Sequence, residues 1–343
     1  MSSPIVQLLL SRLRESLREP ETIFWTFLFP PLLAAALGIA FRGQGPDPAA
    51  VIVIAGPEAA ATADALRRDP LLHVEVLDTA AAEQRLRAGQ AAIAVVPGSV
   101  VVYRFDPSRA EANMARAMVD ATLQRAAGRK DPLRTRDDHV EQPGARYIDF
   151  LIPGLLGMNL MGAGLWGMGW TIVEARTRRL LKRLLATPMR RRDFLLAQIL
   201  SRLVYLPFEV LILLGLAALL FGVGIAGGLL DLAVVVLVGA LSFAGLGTLL
   251  ASRARTTETI NGLINLCTLP MFLLSGVFFS SSRFPDVLQP LIRILPLTAL
   301  NNALRGVINE GVTVFSLGPE LLVLVAWGLL SFALAVKLFR WTT

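Results

Sequence analysis

The chain has 343 residues, 54% hydrophobic and 17% charged, with a mean hydropathy of +0.60. Soluble domains carry about 25% charged residues, so this balance disfavours a cytosolic enzyme, a nucleic-acid binder or a disordered tail. The 33 Lys and Arg against 26 Asp and Glu leave +7; a single cysteine, Cys267, excludes an intrachain disulfide, and two histidines, His73 and His139, are too few for a His-based metal cluster.

In residues 1–21, Val6, Leu9, Leu10, Leu13 and Leu17 recur at helical spacing against Arg12, Arg14, Glu15, Arg18 and Glu19. That pattern predicts an amphipathic helix lying on a membrane surface. Residues 22–41 hold the first of six stretches long and apolar enough to span a bilayer: Ile23–Phe41, Tyr147–Val173, Leu195–Phe221, Leu229–Ala251, Thr259–Ser280 and Glu320–Phe339. The first is too long for the apolar part of a signal peptide and has Glu15, Glu19 and Glu21 before it, so it reads as an uncleaved anchor.

Residues 42–146 are polar, with 14 Lys/Arg and 14 Asp/Glu. Val51–Gly56, His73–Leu77, Ala91–Pro97 and Ser99–Phe105 read as strands, and Glu58–Arg68, Thr79–Arg87 and Arg109–Arg129 as helices, which together make a small α/β domain. Gly56-Pro57-Glu58 is not the G-x-G-x-x-G of a dinucleotide site. His73 is expected to face inward and pack, and His139 sits in a charged linker without an obvious partner.

In the second span Asn159, Ala163, Gly167 and Thr171 follow at intervals of four, and in the fifth Thr257, Asn261, Asn265, Thr268 and Ser275 follow at intervals of three, four or seven. Small and polar stripes of this kind pack helices closely; lining of a transport path is the competing reading. Between the second and third spans, Leu180, Leu181, Leu184 and Leu185 form a stripe, with Arg178, Arg179, Lys182 and Arg183 on the other face, and Thr187-Pro188 ends the segment. The prediction is an amphipathic rod over 174–188, held by anionic lipid or docked on a cytoplasmic partner. Glu209 falls mid-span in the third helix, where an acid is costly and a functional candidate by default. Arg202 lies two turns away, about 10 Å, so a polar contact from Glu209 to another helix is expected ahead of pairing with Arg202 or proton coupling. Asp231 is close enough to a span end to reach water, Gly222–Gly228 reads as a turn, and the Pro-broken segment 281–305 is expected to dip into the outer leaflet as short helices.

Short connections set the orientation. Fifteen Lys/Arg fall in or beside the N-terminal segment, the second-to-third and fourth-to-fifth connections and the C-terminal end, against Arg283, Arg293 and Arg305 on the opposite side. Both termini are therefore expected in the cytoplasm and residues 42–146 outside. The three lysines, Lys130, Lys182 and Lys337, neither follow glycine nor precede Ser or Thr, so no G-x-x-x-x-G-K-[ST] loop is present.

The segment "LLKRLLATPMRRRDFLLAQ" (Leu180–Gln198) resembles the coupling region of ABC type-2 transporter permeases, with Arg178-Arg179-Leu180 standing where many members carry Gly-Thr. The opening "DFLIPG" of the second span (Asp149–Gly154) and Pro270–Val307, like the family's outer re-entrant region, extend the resemblance over nearly the whole chain. The resemblance implies an α-helical integral membrane protein of six transmembrane helices, with a small α/β extracytoplasmic domain between the first and second. It implies an exporter subunit in the bacterial inner membrane that pairs with a second permease copy, as homodimer or heterodimer. No cofactor is expected in this chain; two separate ATP-binding subunits would hold ATP and Mg and push on Arg178–Pro188. Two other classes compete: a gradient-driven transporter, which needs paired intramembrane charges or inverted repeats, and a membrane sensor or scaffold that reads ligands through residues 42–146. Membrane lipid is a partner in every case, and nucleic acid in none.

Overall fold

The computed structural model describes residues 20–40, 48–130, 133, 146–180 and 191–338, with scattered residues between 6 and 18. Most of the amphipathic helix expected over 1–21, residues 181–190 and His139 lie outside the described residues. The chain divides into two compact units, residues 43–140 and the remainder.

The first helix, α1, runs through Pro20–Ile23, a π-helical turn at Phe24–Leu28, and Phe29–Ala40. Pro30 and Pro31 sit just past that turn. Neither can donate a hydrogen bond, and each ring crowds the preceding turn, so a widened turn relieves the clash.

Residues 43–140 build an α/β unit: β1 (Ala49–Ile54), α2 (Ala59–Leu66), β2 (Leu72–Leu77), α3 (Thr79–Arg87), β3 (Ile93–Val96), β4 (Val102–Arg104) and α4 (Ala110–Ala126). The sheet order is β2-β1-β3-β4, with β1 parallel to β2 and β3, and β4 antiparallel to β3. Val51, Val53, Leu72, Val74, Ile93 and Val95 face α2 and α4 across one core. Ile52, Ile54 and Ala94 pack with Ala82 of α3 in the other. Burial of both faces explains why β1 and β3 are uninterrupted apolar runs. The inward placement expected for His73 is corrected here. Leu72 and Val74 take the buried positions, so the strand's two-residue period turns His73 outward, its ring nitrogen 3.6 Å from Glu75.

The remaining unit continues with α5 (Tyr147–Gly164, a π-turn at Leu165–Trp170, and Thr171–Thr177), α6 (Arg191–Phe221), α7 (Leu229–Arg253) and α8 (Thr257–Leu274). After short 3₁₀ turns come α9 (Gln289–Ile294), α10 (Pro296–Ile308) and α11 (Gly318–Leu338). Among the described residues, four helices, α5, α6, α7 and α11, are long and apolar enough to cross a membrane. The segments 286–294 and 296–308 meet at 83° and count as a fifth if taken as one broken span. The first and fifth expected spans are helical but shorter: Phe24–Ala40 within α1, and the 18 residues of α8, which Asn261 and Asn265 make less apolar. At the bend, Leu295 is extended and Pro296 opens α10, because a residue before proline is driven out of the helical region.

The core of this unit is built around α5, whose Leu151, Ile152, Leu155, Leu156, Leu160 and Met161 are almost wholly inaccessible. Close approach to α7 depends on glycine. A Cβ on Gly247 would lie 2.3 Å from the carbonyl oxygen of Gly164, and one on Gly164 2.4 Å from Cβ of Phe243. Contact of backbone on backbone is how helices associate where the surroundings are as apolar as the side chains.

Candidate coupling region and translocation path

The C-terminal end of α5 carries the start of the predicted rod. The helix stops at Thr177, Arg178 is in a turn, and Arg179 is left-handed, with φ 57°. A continuous helix over 174–188 is thereby corrected: residues 174–177 finish α5, Arg178 and Arg179 make the corner, and Leu180 begins the next helical residue. Arg178 pairs back to Glu174 at 2.7 Å. Leu181, Lys182, Arg183, Leu184, Leu185, Thr187 and Pro188 fall outside the described residues.

Arg176, by sequence a cation beside the second-to-third connection, is buried. Its guanidinium donates to the carbonyl oxygens of Ala251 (3.0 Å) and Ala254, with Ser252 at 3.5 Å. These are the unpaired carbonyls at the C-terminal end of α7, the negative pole of that helix. The corner leading to the rod is therefore pinned to the end of α7. Nothing local in the sequence marks this, because the acceptors lie 75 to 78 residues away.

The second-span stripe is only partly covered within the chain. Asn159, Ala163 and Thr171 are half-buried, Gly167 is exposed, and a Cβ on Gly167 would meet nothing within 4 Å. The closest approaches are made by Gly154, Gly157, Gly164 and Gly169, toward α7, α10 and Val277 in the segment after α8. The carbonyl of Gly167, inside the π-turn, accepts from the Thr171 hydroxyl at 2.7 Å and from the Gln198 amide of α6 at 3.1 Å. The π-turn and the residues after it pack against α8.

On α8 the stripe divides. Asn265 is exposed, whereas Thr268 and Ser275 are buried and Asn261 half-buried. Asn261, Thr268 and Ser275 are seven residues apart and share one face. Their side-chain oxygens are each shielded and without a hydrogen-bond partner among the described residues.

Glu209 is wholly buried and forms a two-pronged ion pair with Arg202 on its own helix. The contact expected with another helix is corrected accordingly. Seven residues return to nearly the same face, the Glu209 Cα–Cβ bond leans toward the N-terminus, and the long arginine side chain covers the rest of the two-turn rise.

The opposite helix ends are tied by a polar network. Arg146 pairs with Asp149 at 2.8 Å and donates to the carbonyl of Phe221 at the end of α6, 2.9 Å away. Asn309 donates to the Asp149 carbonyl at 2.9 Å. Arg305 lies 3.7 Å over the Phe150 ring and donates to the carbonyls of Phe150 and Gly276. Asp231, expected only to reach water, accepts from the main-chain N–H of Val314 at 2.9 Å. The region 222–228 is a turn as expected, its Ala226 and Gly227 bonded to the carbonyls of Ile308 and Val307.

A family model described as ABC-2 family transporter protein matches residues 20–337. The chain belongs to this family. The ABC-2 permease is thus a multi-pass membrane protein, and its membership implies an ATP-binding partner subunit. No curated protein matches the chain.

Proposed function

We propose that this ABC-2 permease is the membrane subunit of an exporter in a bacterial inner membrane, working as a pair of permease subunits with two ATP-binding subunits that hold ATP and Mg. In this reading the chain crosses the membrane six times, with α1 and α8 completing the set, both termini in the cytoplasm and the α/β unit outside. The observation that carries it is the family match over 20–337 in a sequence that has no phosphate-binding loop of its own.

Closure of the ATP-binding subunits moves the segment Arg178–Pro188. The left-handed corner at Arg179 transmits that motion to α5, and Arg176 carries α7 with it. The partly open face of Asn159, Ala163, Gly167 and Thr171 and the polar side of α8 (Asn261, Asn265, Thr268) line the path. The Arg146, Asp149, Arg305 and Asn309 contacts hold its outer end shut until the helices tilt.

Co-purification with the ATP-binding subunit and ATP hydrolysis in reconstituted vesicles test this. Changing Leu184 and Leu185 together to Asp is expected to abolish both subunit binding and stimulated hydrolysis. A chain that purifies alone and transports at full rate contradicts the proposal.

A further inference from the structure

The α/β unit holds a cleft of about 630 Å³ where β3 begins, β4 ends and α3 stops. Its position is unusual for a parallel sheet, whose ligand crevice lies at the carboxyl ends of the strands; this cleft is at the amino end of β3. Leu86, Ala92 and Phe105 give it an apolar floor, and Arg87, Arg104 and Arg109 surround that floor.

The arginines are held by weak contacts. Arg87 and Arg104 share one carboxylate, Glu83, at 3.6 and 3.4 Å, and Arg109 meets Glu111 at 3.2 Å. Ion pairs this exposed contribute little, and each guanidinium has five N–H donors, so most of each donor fork is open to an incoming group. Asp106, the one acid lining the cleft, is bonded first to Ser108 and feels Arg109 only as a weaker charge attraction. Its carboxylate accepts from the Ser108 N–H at 2.9 Å and the Ser108 hydroxyl at 2.6 Å, and those bonds hold it below the usual carboxylate range. Gly89, left-handed at φ +70°, keeps the wall bare: its missing Cβ would lie 3.8 Å from Nη1 of Arg109.

We infer that this cleft binds a small soluble organic anion, a phosphate or carboxylate head joined to an apolar body, with Arg104 and Arg109 gripping the head and Phe105 and Leu86 covering the body. The volume falls in the range of small-ligand pockets, about 300–1,000 Å³. Guanidinium forks match such oxyanions in two-pronged geometry.

Calorimetric titration of the full chain, in nanodiscs of zwitterionic lipid, tests the site with phenyl phosphate as the probe. Saturable one-to-one binding is expected, with inorganic phosphate about tenfold weaker for want of the apolar contact. Arg104→Gln and Arg109→Gln should each weaken phenyl phosphate about tenfold, the worth of a charged hydrogen bond. Arg125→Gln, in the last turn of α4 and away from the cleft, should leave binding unchanged, and all three variants should keep the wild-type unfolding temperature. Absence of saturable binding, equal affinity in the Arg104 and Arg109 variants, an equal loss in Arg125→Gln, or inorganic phosphate binding as tightly as phenyl phosphate overturns the inference. The titration contains no ATP-binding subunit, so its failure would leave the permease proposal standing.

Discussion

The buried pair Arg202–Glu209 gives the sharpest energetic test of the membrane unit. Glu209 has no exposed side-chain surface and Arg202 only 11%. Glu209→Gln leaves a guanidinium that cannot give up its proton in a protein without its partner, and removing one member of a buried pair costs about 3–5 kcal/mol. Arg202→Met leaves the Glu209 carboxyl buried without its partner and should cost a similar amount. Combining Arg202→Met with Glu209→Leu removes both charges and should restore stability to within about 1–2 kcal/mol of the parent. Equilibrium unfolding in mixed micelles measures all three variants. Single variants that cost nothing, or a double variant as damaged as the singles combined, would refute the pairing.

Further outcomes follow from the packing. Gly247→Ala drives a methyl group toward the Gly164 carbonyl and should cost about 1–3 kcal/mol in the same unfolding assay, whereas Gly167→Ala, with open space around it, should stay within about 0.5 kcal/mol. Burial and the 3.0 Å bond to Asp120 push the Tyr103 phenol up to about 12. Because the folded state keeps that proton longer than the unfolded chain, the stability it contributes is complete below about pH 10 and fades as pH rises toward 12. Near-ultraviolet titration should show Tyr103→Phe removing a component near pH 12, and loss of one near pH 10 instead would contradict this. Asn159→Leu and Asn265→Leu should slow transport while leaving assembly with the ATP-binding subunit intact; full transport in both would remove these residues from the path.

Much of the fold could be read from residue order because the signals were local. The alternation Leu72-His73-Val74-Glu75 even specified which way His73 points, and the inward expectation ran against it. The corner at Arg178–Arg179 was hidden because it contains neither glycine nor proline, and the left-handed backbone falls on an arginine. The roles of Arg176, Gly164 and Gly247 were out of reach for a different reason: each is defined by a group more than 70 residues away. Pairing of Arg202 with Glu209 ranks second on sequence because a two-turn rise demands long reaches by both side chains, which the buried pair makes. The small stripe of the second span leaves packing and path both open because glycine and alanine look the same on a packed face and on an open one. Gly167 belongs to the open face and Gly164, three residues earlier, to the packed one.

The account depends on the segment after Arg178 facing the compartment where ATP is hydrolysed. The most direct measurement is labelling of Arg179→Cys, in a Cys267→Ser background, with a membrane-impermeant maleimide. Labelling in inverted membrane vesicles but not in intact cells is the result predicted here. Labelling from the outside of intact cells would contradict it.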